Sequence, residues 1–189
     1  MIPFSAADDP VAQVIRSRRT INDFLPESPP LEPVLQSLDL ARWAPNHKLT
    51  EPWTFHLLGP ETKQRMLRQC IELLTKERGE EFAQKKCARW AGIPGWIVVT
   101  CRKSADPLRA EEDYAAVCCA IQNLMLALWS HEIGTKWSTS AILQSPEISQ
   151  LLGIDPEVSR VVGLVWYGYP AVLPDSRRAP ISEIVTLHP

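Results

Sequence analysis

A chain of 189 residues is long enough to bury a substantial core and short for two full domains, so one domain spanning 1–189 is expected. Twenty basic and twenty-two acidic residues leave a net charge of −2, which excludes the basic footprint that nucleic acid or an anionic membrane surface demands and points to small-molecule partners. No apolar run approaches the roughly 20 residues that span a bilayer, and Met1–Asp9 lacks the pattern of a cleavable signal sequence, so the expected location is cytoplasmic.

In chain order, Asp9-Pro10 supplies an N-cap and a proline at the first helical position, and Val11, Val14 and Ile15 recur at helical spacing up to Arg18-Arg19. Pro29-Pro30 break the chain, Pro33 restarts it, and Val34, Leu35, Leu38 and Ala41 mark one face of a second helix that must end before Pro45. A polar loop, 45–52, comes next, and Trp53–Leu58 alternates as a strand before Gly59-Pro60. The charge-rich stretch 61–90 predicts a partly exposed helix broken near Gly79.

Trp96–Cys101 is a β-branched run suited to a buried strand, followed by a polar turn at 102–107. From about Glu111 to Glu132 a helix is apolar around most of its circumference and therefore central, with Gly134 expected to stop it. Lys136–Thr139 reads as extended, Ser145 caps a short helix through Leu152, and Arg160–Gly168 is the last strand. Helices and strands mix without a βαβ period, which predicts an α+β fold whose antiparallel or mixed sheet is flanked by helices.

The five cysteines (Cys70, Cys87, Cys101, Cys118 and Cys119) are odd in number and contain no C-x-x-C, as expected for reduced thiols, and the adjacent pair 118–119 reads as small buried hydrophobes. Most of the seven tryptophans are expected in a core or subunit interface, with one or two left for a ligand pocket. No second His, Cys or carboxylate stands at ligand spacing from a histidine, so no metal is expected, and no nucleophile–base pair emerges.

Three pieces carry a further reading: Arg18-Arg19-Thr20, the firmly anchored stretch Ala41–Phe55, and Ala120-Ile121-Gln122-Asn123-Leu124. Together they resemble the nitroreductase family of FMN-dependent oxidoreductases, and the likeness extends in order from the first helix to the C-terminal segment. It implies a central sheet flanked by helices in an intertwined homodimer, with one flavin at each of two interface sites. FMN offers a dianionic phosphate, a polar ribityl chain and a flat ring, so its protein must supply cations, hydroxyls and an apolar or aromatic wall.

Arg18, Arg19 and Thr20 match the family's Arg-Arg-Ser, since threonine keeps the hydroxyl and guanidinium groups suit bidentate phosphate contacts. Arg178 matches the phosphate-binding arginine of the family's C-terminal Arg-x-Pro-Leu-x-Glu-x-Val segment. Pro45-Asn46-His47-Lys48 looks like the short-chain branch, which makes His47 the loop's candidate cofactor contact and Lys48 a weaker one. Trp43 stands where that branch has an arginine. Trp137, Ser138 and Thr139 match its Trp-Arg-Ser segment beside the flavin, with Ser138 replacing the arginine and Lys136 next to it. Ala127–Glu132 corresponds to a stretch linked with nicotinamide nucleotide, although packing of a helix end is the favoured reading there. Asn22, Leu49 and Glu51 depart from positions where the wider family has flavin-contacting residues.

The resemblance implies hydride transfer from NADH or NADPH through FMN to an electron-poor small molecule such as a nitroaromatic or quinone, in ping-pong turnover, with no catalytic side chain. Two rivals stand beside it: a flavin-storing protein without efficient turnover, and an enzyme of the same fold acting on a specialised substrate.

Overall fold

The computed structural model describes residues 9–188; the signal-sequence reading of Met1–Asp9 falls, up to residue 8, outside them. Helix α1 (Pro10–Ser17) starts as its sequence dictates, with the Asp9 carboxylate accepting from the Val11 N–H at 2.9 Å. Helix α2 (Leu31–Ala41) begins two residues ahead of Pro33. That proline sits in the first turn, where its missing N–H has no carbonyl to lose. A short 3₁₀ turn (His47–Leu49) leads into β1 (Trp53–Leu57). The charge-rich stretch divides into α3 (Pro60–Arg78) and α4 (Glu80–Ala91) at Gly79, whose φ of +88° suits a residue without a Cβ.

Strand β2 (Gly95–Arg102) precedes α5 (Pro107–Ser130), which starts a full turn earlier than the sequence reading placed it. Asp106 accepts from the Leu108 N–H at 3.0 Å and Pro107 takes the first helical position, the same Asp-Pro device that opens α1. Gly134 does not end α5. The helix closes at Ser130, the chain turns at Glu132 with φ +62°, and Gly134 instead opens β3 (Gly134–Ser138). After a 3₁₀ turn (Ala141–Gln144), α6 (Pro146–Leu152) is capped by Ser145, and β4 (Ser159–Gly168) completes the sheet.

The strand order is β1-β2-β4-β3 and every pairing is antiparallel. Strand alternation sorts the two faces: Trp96 and Val98 pack with α3, α4 and α6, whereas Ile97, Val99 and Cys101 pack with α2 and α5. A bulge in β4 opposite Val99/Thr100 flips its parity, so that Val161 and Leu164 share the first face and Val162 and Val165 the second. Fully buried side chains such as Trp96, Ile97, Leu124 and Leu128 each stabilise the fold by about 1.5–3 kcal/mol. The result is an α+β fold with an antiparallel sheet between helical layers.

Cys70, Cys87 and Cys101 are buried free thiols, and burial with Cys87 alongside pushes the Cys70 thiol up to about 12. Cys118 and Cys119 depart from expectation: the first is half-buried and the second exposed, because part of α5's apolar circumference is left uncovered. Trp90, Trp96 and Trp166 are core residues. Among the described residues, no helix is long and apolar enough to cross a membrane.

Candidate functional site

The chain leaving α1 is drawn along the β3 edge of the sheet. Thr20 pairs in parallel with Thr135, the Ile21 N–H donates to the Thr135 carbonyl at 2.9 Å, and the Ile21 side chain is fully buried. Farther along, the Leu25 N–H donates to the Tyr169 carbonyl and the Ala171 N–H to that of Asp23, so the segment after β4 runs back beside the segment after α1. The Trp129 indole N–H, near the end of α5, donates to Ser17 Oγ at 2.8 Å and holds the end of α1 in place.

Three arginines meet there. Arg19 donates through Nε to the Pro174 carbonyl at 3.1 Å and through Nη1 to the Arg16 and Arg18 carbonyls at 2.7 and 3.1 Å. It therefore ties the C-terminal segment to the end of α1. Arg178, farther along that segment, is near enough for its charge to act on Arg18, whose pKa is lowered first by burial and then by the charges of Arg178 and Arg19. Arg178 Nη1 donates to Ser176 Oγ and to the Arg177 carbonyl. Among the described residues, no carboxylate forms an ion pair with Arg18 or Arg178. Arg18 is half-buried and Arg178 exposed; their like charges raise the energy of the fold, and an anion beside both would lower it.

Trp137 and Ser138 end β3 on the same edge, and Thr139 follows them. The indole of Trp137 crosses over β4 at Gly163, where an added Cβ would lie 2.2 Å from Trp137 Nε1 and 2.8 Å from the Ser138 carbonyl oxygen. Only glycine permits that approach. The Trp137 N–H is buried with no hydrogen-bond partner among the described residues. Lys136 donates to Asn22 Oδ1 at 2.8 Å, so the departure at Asn22 positions a cation instead of being one.

Trp43 and His47 lie elsewhere, on the approach to β1 at the opposite edge of the sheet. Three strand spacings put the two edges roughly 14 Å apart. Trp43 is 72% exposed. His47 Nδ1 is 2.9 Å from Glu112 Oε2 on α5, a carboxylate that the sequence reading did not bring to the histidine. Asn46 brackets the loop: its Oδ1 accepts from the Glu51 N–H at 3.0 Å and its Nδ2 donates to the Ala44 carbonyl at 3.2 Å. Thr50 Oγ1 donates to Asp113 Oδ1 at 2.6 Å, and Asp113 is buried.

Lys48, Leu49 and Glu51 all take positive φ, of 57°, 50° and 43°. Non-glycine residues in that region cost of order 1–3 kcal/mol each and persist where surrounding contacts impose them. The Asn46 bracket and the Asp113 anchor were missed in the sequence. An acid three residues ahead of Ala116 on the buried face of a largely apolar helix was the available signal for Asp113.

Residues 15–169 match the model of the nitroreductase family. The chain belongs to that family. Over 178 residues it is 31% identical to YfhC of Bacillus subtilis, which bears an inferred NAD(P)H nitroreductase name, covering 92% of this chain and 91% of that one. A nitroreductase-like family protein from Bacillus cereus superposes with a TM-score of 0.84 at 27% identity, covering 100% of this chain and 98% of the other. A nitroreductase-type protein from Desulfovibrio desulfuricans, solved in complex with FMN, superposes with a TM-score of 0.75 at 24% identity over 96% of this chain and 98% of that one. The nitroreductase fold thus accounts for the antiparallel sheet between helical layers.

Proposed function

We propose that this nitroreductase-family chain is an FMN-dependent oxidoreductase that uses NADH or NADPH to reduce an electron-poor small molecule, such as a nitroaromatic or quinone, as a cytoplasmic intertwined homodimer. The observation that carries the reading is the convergence of Arg18 and Arg178, from opposite ends of the chain, with no carboxylate of the described residues between them. The donor set suits FMN: two guanidinium groups for a dianionic phosphate, hydroxyls of Thr20, Ser138 and Thr139 for the ribityl chain, and Trp137 for a wall. When bound, FMN supplies hydride-transfer chemistry, with nicotinamide and acceptor alternating over one ring.

The chain's own residues then bind and orient. Arg18 and Arg178 hold the phosphoryl group, Arg19 keeps the C-terminal segment seated through Pro174, and Gly163 leaves room for Trp137. Trp43 and His47, at the far sheet edge, would reach a flavin held by the arginines of the partner subunit, which is why a dimer belongs to the reading. The exposed apolar side chains of α1 and α2, including Val11, Ile15, Leu31 and Leu35, together with Ile181 and Ile184 of the C-terminal segment, supply surface for such a contact.

The test is a visible spectrum of the purified protein, followed by NADH or NADPH under nitrogen. A flavin spectrum that bleaches on addition of nicotinamide and returns with a nitroaromatic or quinone is expected. A yellow protein that neither nucleotide bleaches would be a flavin store, and a colourless protein that takes up no added FMN would end the proposal.

A further inference from the structure

A cavity of about 540 Å³ opens between α3 and α6, and none of the residues assigned above to the flavin lines it. Its walls are fixed from behind. Met66 on α3 and Ile148 on α6 are fully buried in one core cluster, and each is next in the chain to a charged lining residue, Arg65 and Glu147.

Both walls are polar, and their groups come in a definite order. On α3 the cations Arg65 and Arg68 come first, half-buried Gln69 follows, and Glu72 comes last. On α6 Glu147 precedes Gln150 and Leu151, the last of which packs against the core. The four charged side chains are exposed, and among the described residues none forms an ion pair with another. Arg68 and Glu72 stand at the i, i+4 spacing that lets helical charges meet, yet the Glu72 carboxylate accepts from Gln69 Nε2 at 3.4 Å instead. Charges of both signs therefore line one space without cancelling across it.

The spacing along α3 sets the length of a matching ligand. At about 1.5 Å per residue, Glu72 lies about 6 Å beyond Arg68 and about 10 Å beyond Arg65 along the helix axis. An extended peptide advances about 3.3–3.6 Å per residue, so two or three residues cover that span. A free amino acid, with ammonium and carboxylate on one carbon, does not reach both ends. The amides suit what lies between them: the Gln69 oxygen can accept a peptide N–H, and the Gln150 amide can donate to a peptide carbonyl.

We propose that the cavity between α3 and α6 binds a peptide of two or three residues with free termini, its carboxylate held by Arg65 and Arg68, its ammonium by Glu72 and Glu147, and an apolar side chain set against Leu151. The site needs no flavin and stands apart from the proposed function. Exposed charge contacts are individually weak, so binding depends on engaging both ends at once.

Titration of the isotope-labelled, FMN-loaded full-length protein with Ala-Leu-Ala, followed through its amide NMR signals, tests the site. Shifts are expected around residues 65–72 and 147–151. Acetylating the N-terminus of the peptide or amidating its C-terminus should each weaken binding about fivefold or more. Arg65→Ala with Arg68→Ala should make the protein indifferent to the C-terminal amide while it still rejects the acetylated peptide, and Glu72→Gln with Glu147→Gln should do the reverse. The charge-conserving Arg65→Lys with Arg68→Lys should discriminate at both ends. No shift at millimolar peptide, shifts only at residues outside the cavity, equal binding of free and capped peptides, or end discrimination that survives in the matching variant would each overturn the proposal. Free leucine binding as tightly as Ala-Leu-Ala would overturn it too, because the distance between the charged ends would then not be read.

Discussion

The two edges of the sheet handle charge in opposite ways. At the β1 edge, the loop 45–52 closes on itself: His47 meets Glu112, Thr50 meets Asp113, and Asn46 satisfies the backbone between them. At the β3 edge, the charge of Arg178 acts on Arg18 with no acid of the described residues paired to either, and Lys136 donates to the neutral oxygen of Asn22. The first edge carries its own counter-charges and spends strain on shape, in three left-handed residues. The second spends electrostatic repulsion, which an anionic ligand relieves. The first arrangement is complete in itself, whereas the second is lowered in energy by any anion placed near its cations.

The sharpest way to break this contrast is Arg18→Ala. Two charge-assisted hydrogen bonds to phosphate are worth about 3 kcal/mol, so FMN affinity should fall about 100-fold. The flavin-free variant should melt no earlier than the flavin-free parent, because the substitution also removes repulsion with Arg178 and Arg19. Flavin absorbance after gel filtration, with a melting curve of the flavin-free protein, reads both effects. Undiminished retention would take Arg18 out of the site.

Gly163→Ala asks whether the β3 edge depends on shape as well as charge. The new methyl would fall 2.2 Å from Trp137 Nε1, and overpacking of this kind typically costs about 1–3 kcal/mol. Trp137 or β4 must move, so chemical unfolding should show the loss and FMN retention should fall with it. Full stability in the variant would mean that the indole rearranges freely and is no fixed wall.

How much of this was legible depended on the range of the interactions. Caps and breaks are local: Asp9-Pro10 starts α1 and Gly79 divides α3 from α4 where the sequence reading put the break. The same Asp-Pro signal marks the start of α5 at Asp106-Pro107, but the apolar face of that helix begins only later, so periodicity alone reads the pair as part of a turn. The family likeness picked out Arg18 and Arg178, but nothing in the sequence fixes the distance between residues 160 positions apart. Arg19 was grouped with the phosphate ligands, and the fold occupies its donors with the carbonyls of Arg16, Arg18 and Pro174. Asn22 carries no signal of its own in the sequence, because its side chain acts through Lys136, across the join between two segments.

Thr50→Val probes the β1 edge in the same terms. It keeps the shape of the side chain and removes the hydroxyl that donates to buried Asp113, so a carboxylate oxygen loses a partner inside the protein. The cost should be about 1–3 kcal/mol. If the loop is held by that bond, amide exchange at residues 46–51 should quicken well before the sheet opens. Exchange that quickens uniformly across the chain would show instead that the bond serves the whole fold and is no anchor of the loop.

The smallest effect separates the edges by pH. On β1, His56 Nε2 lies 3.3 Å from Thr100 Oγ1, and burial lowers its pKa from the usual value near 6.5. The unfolded chain therefore takes up a proton more readily than the folded one. The contribution of His56 to stability is complete above about pH 6.5 and declines as the pH falls through the depressed folded value. Between pH 7.5 and 5.5 the melting temperature should drop by no more than a few degrees further in the unaltered protein than in His56→Gln, measured without flavin so that the phosphate does not titrate in the comparison. Arg18 stays cationic throughout this range even with its lowered pKa, so none of the difference can come from the arginine cluster. An equal drop in both proteins would remove His56 as the source of any acid sensitivity at the β1 edge.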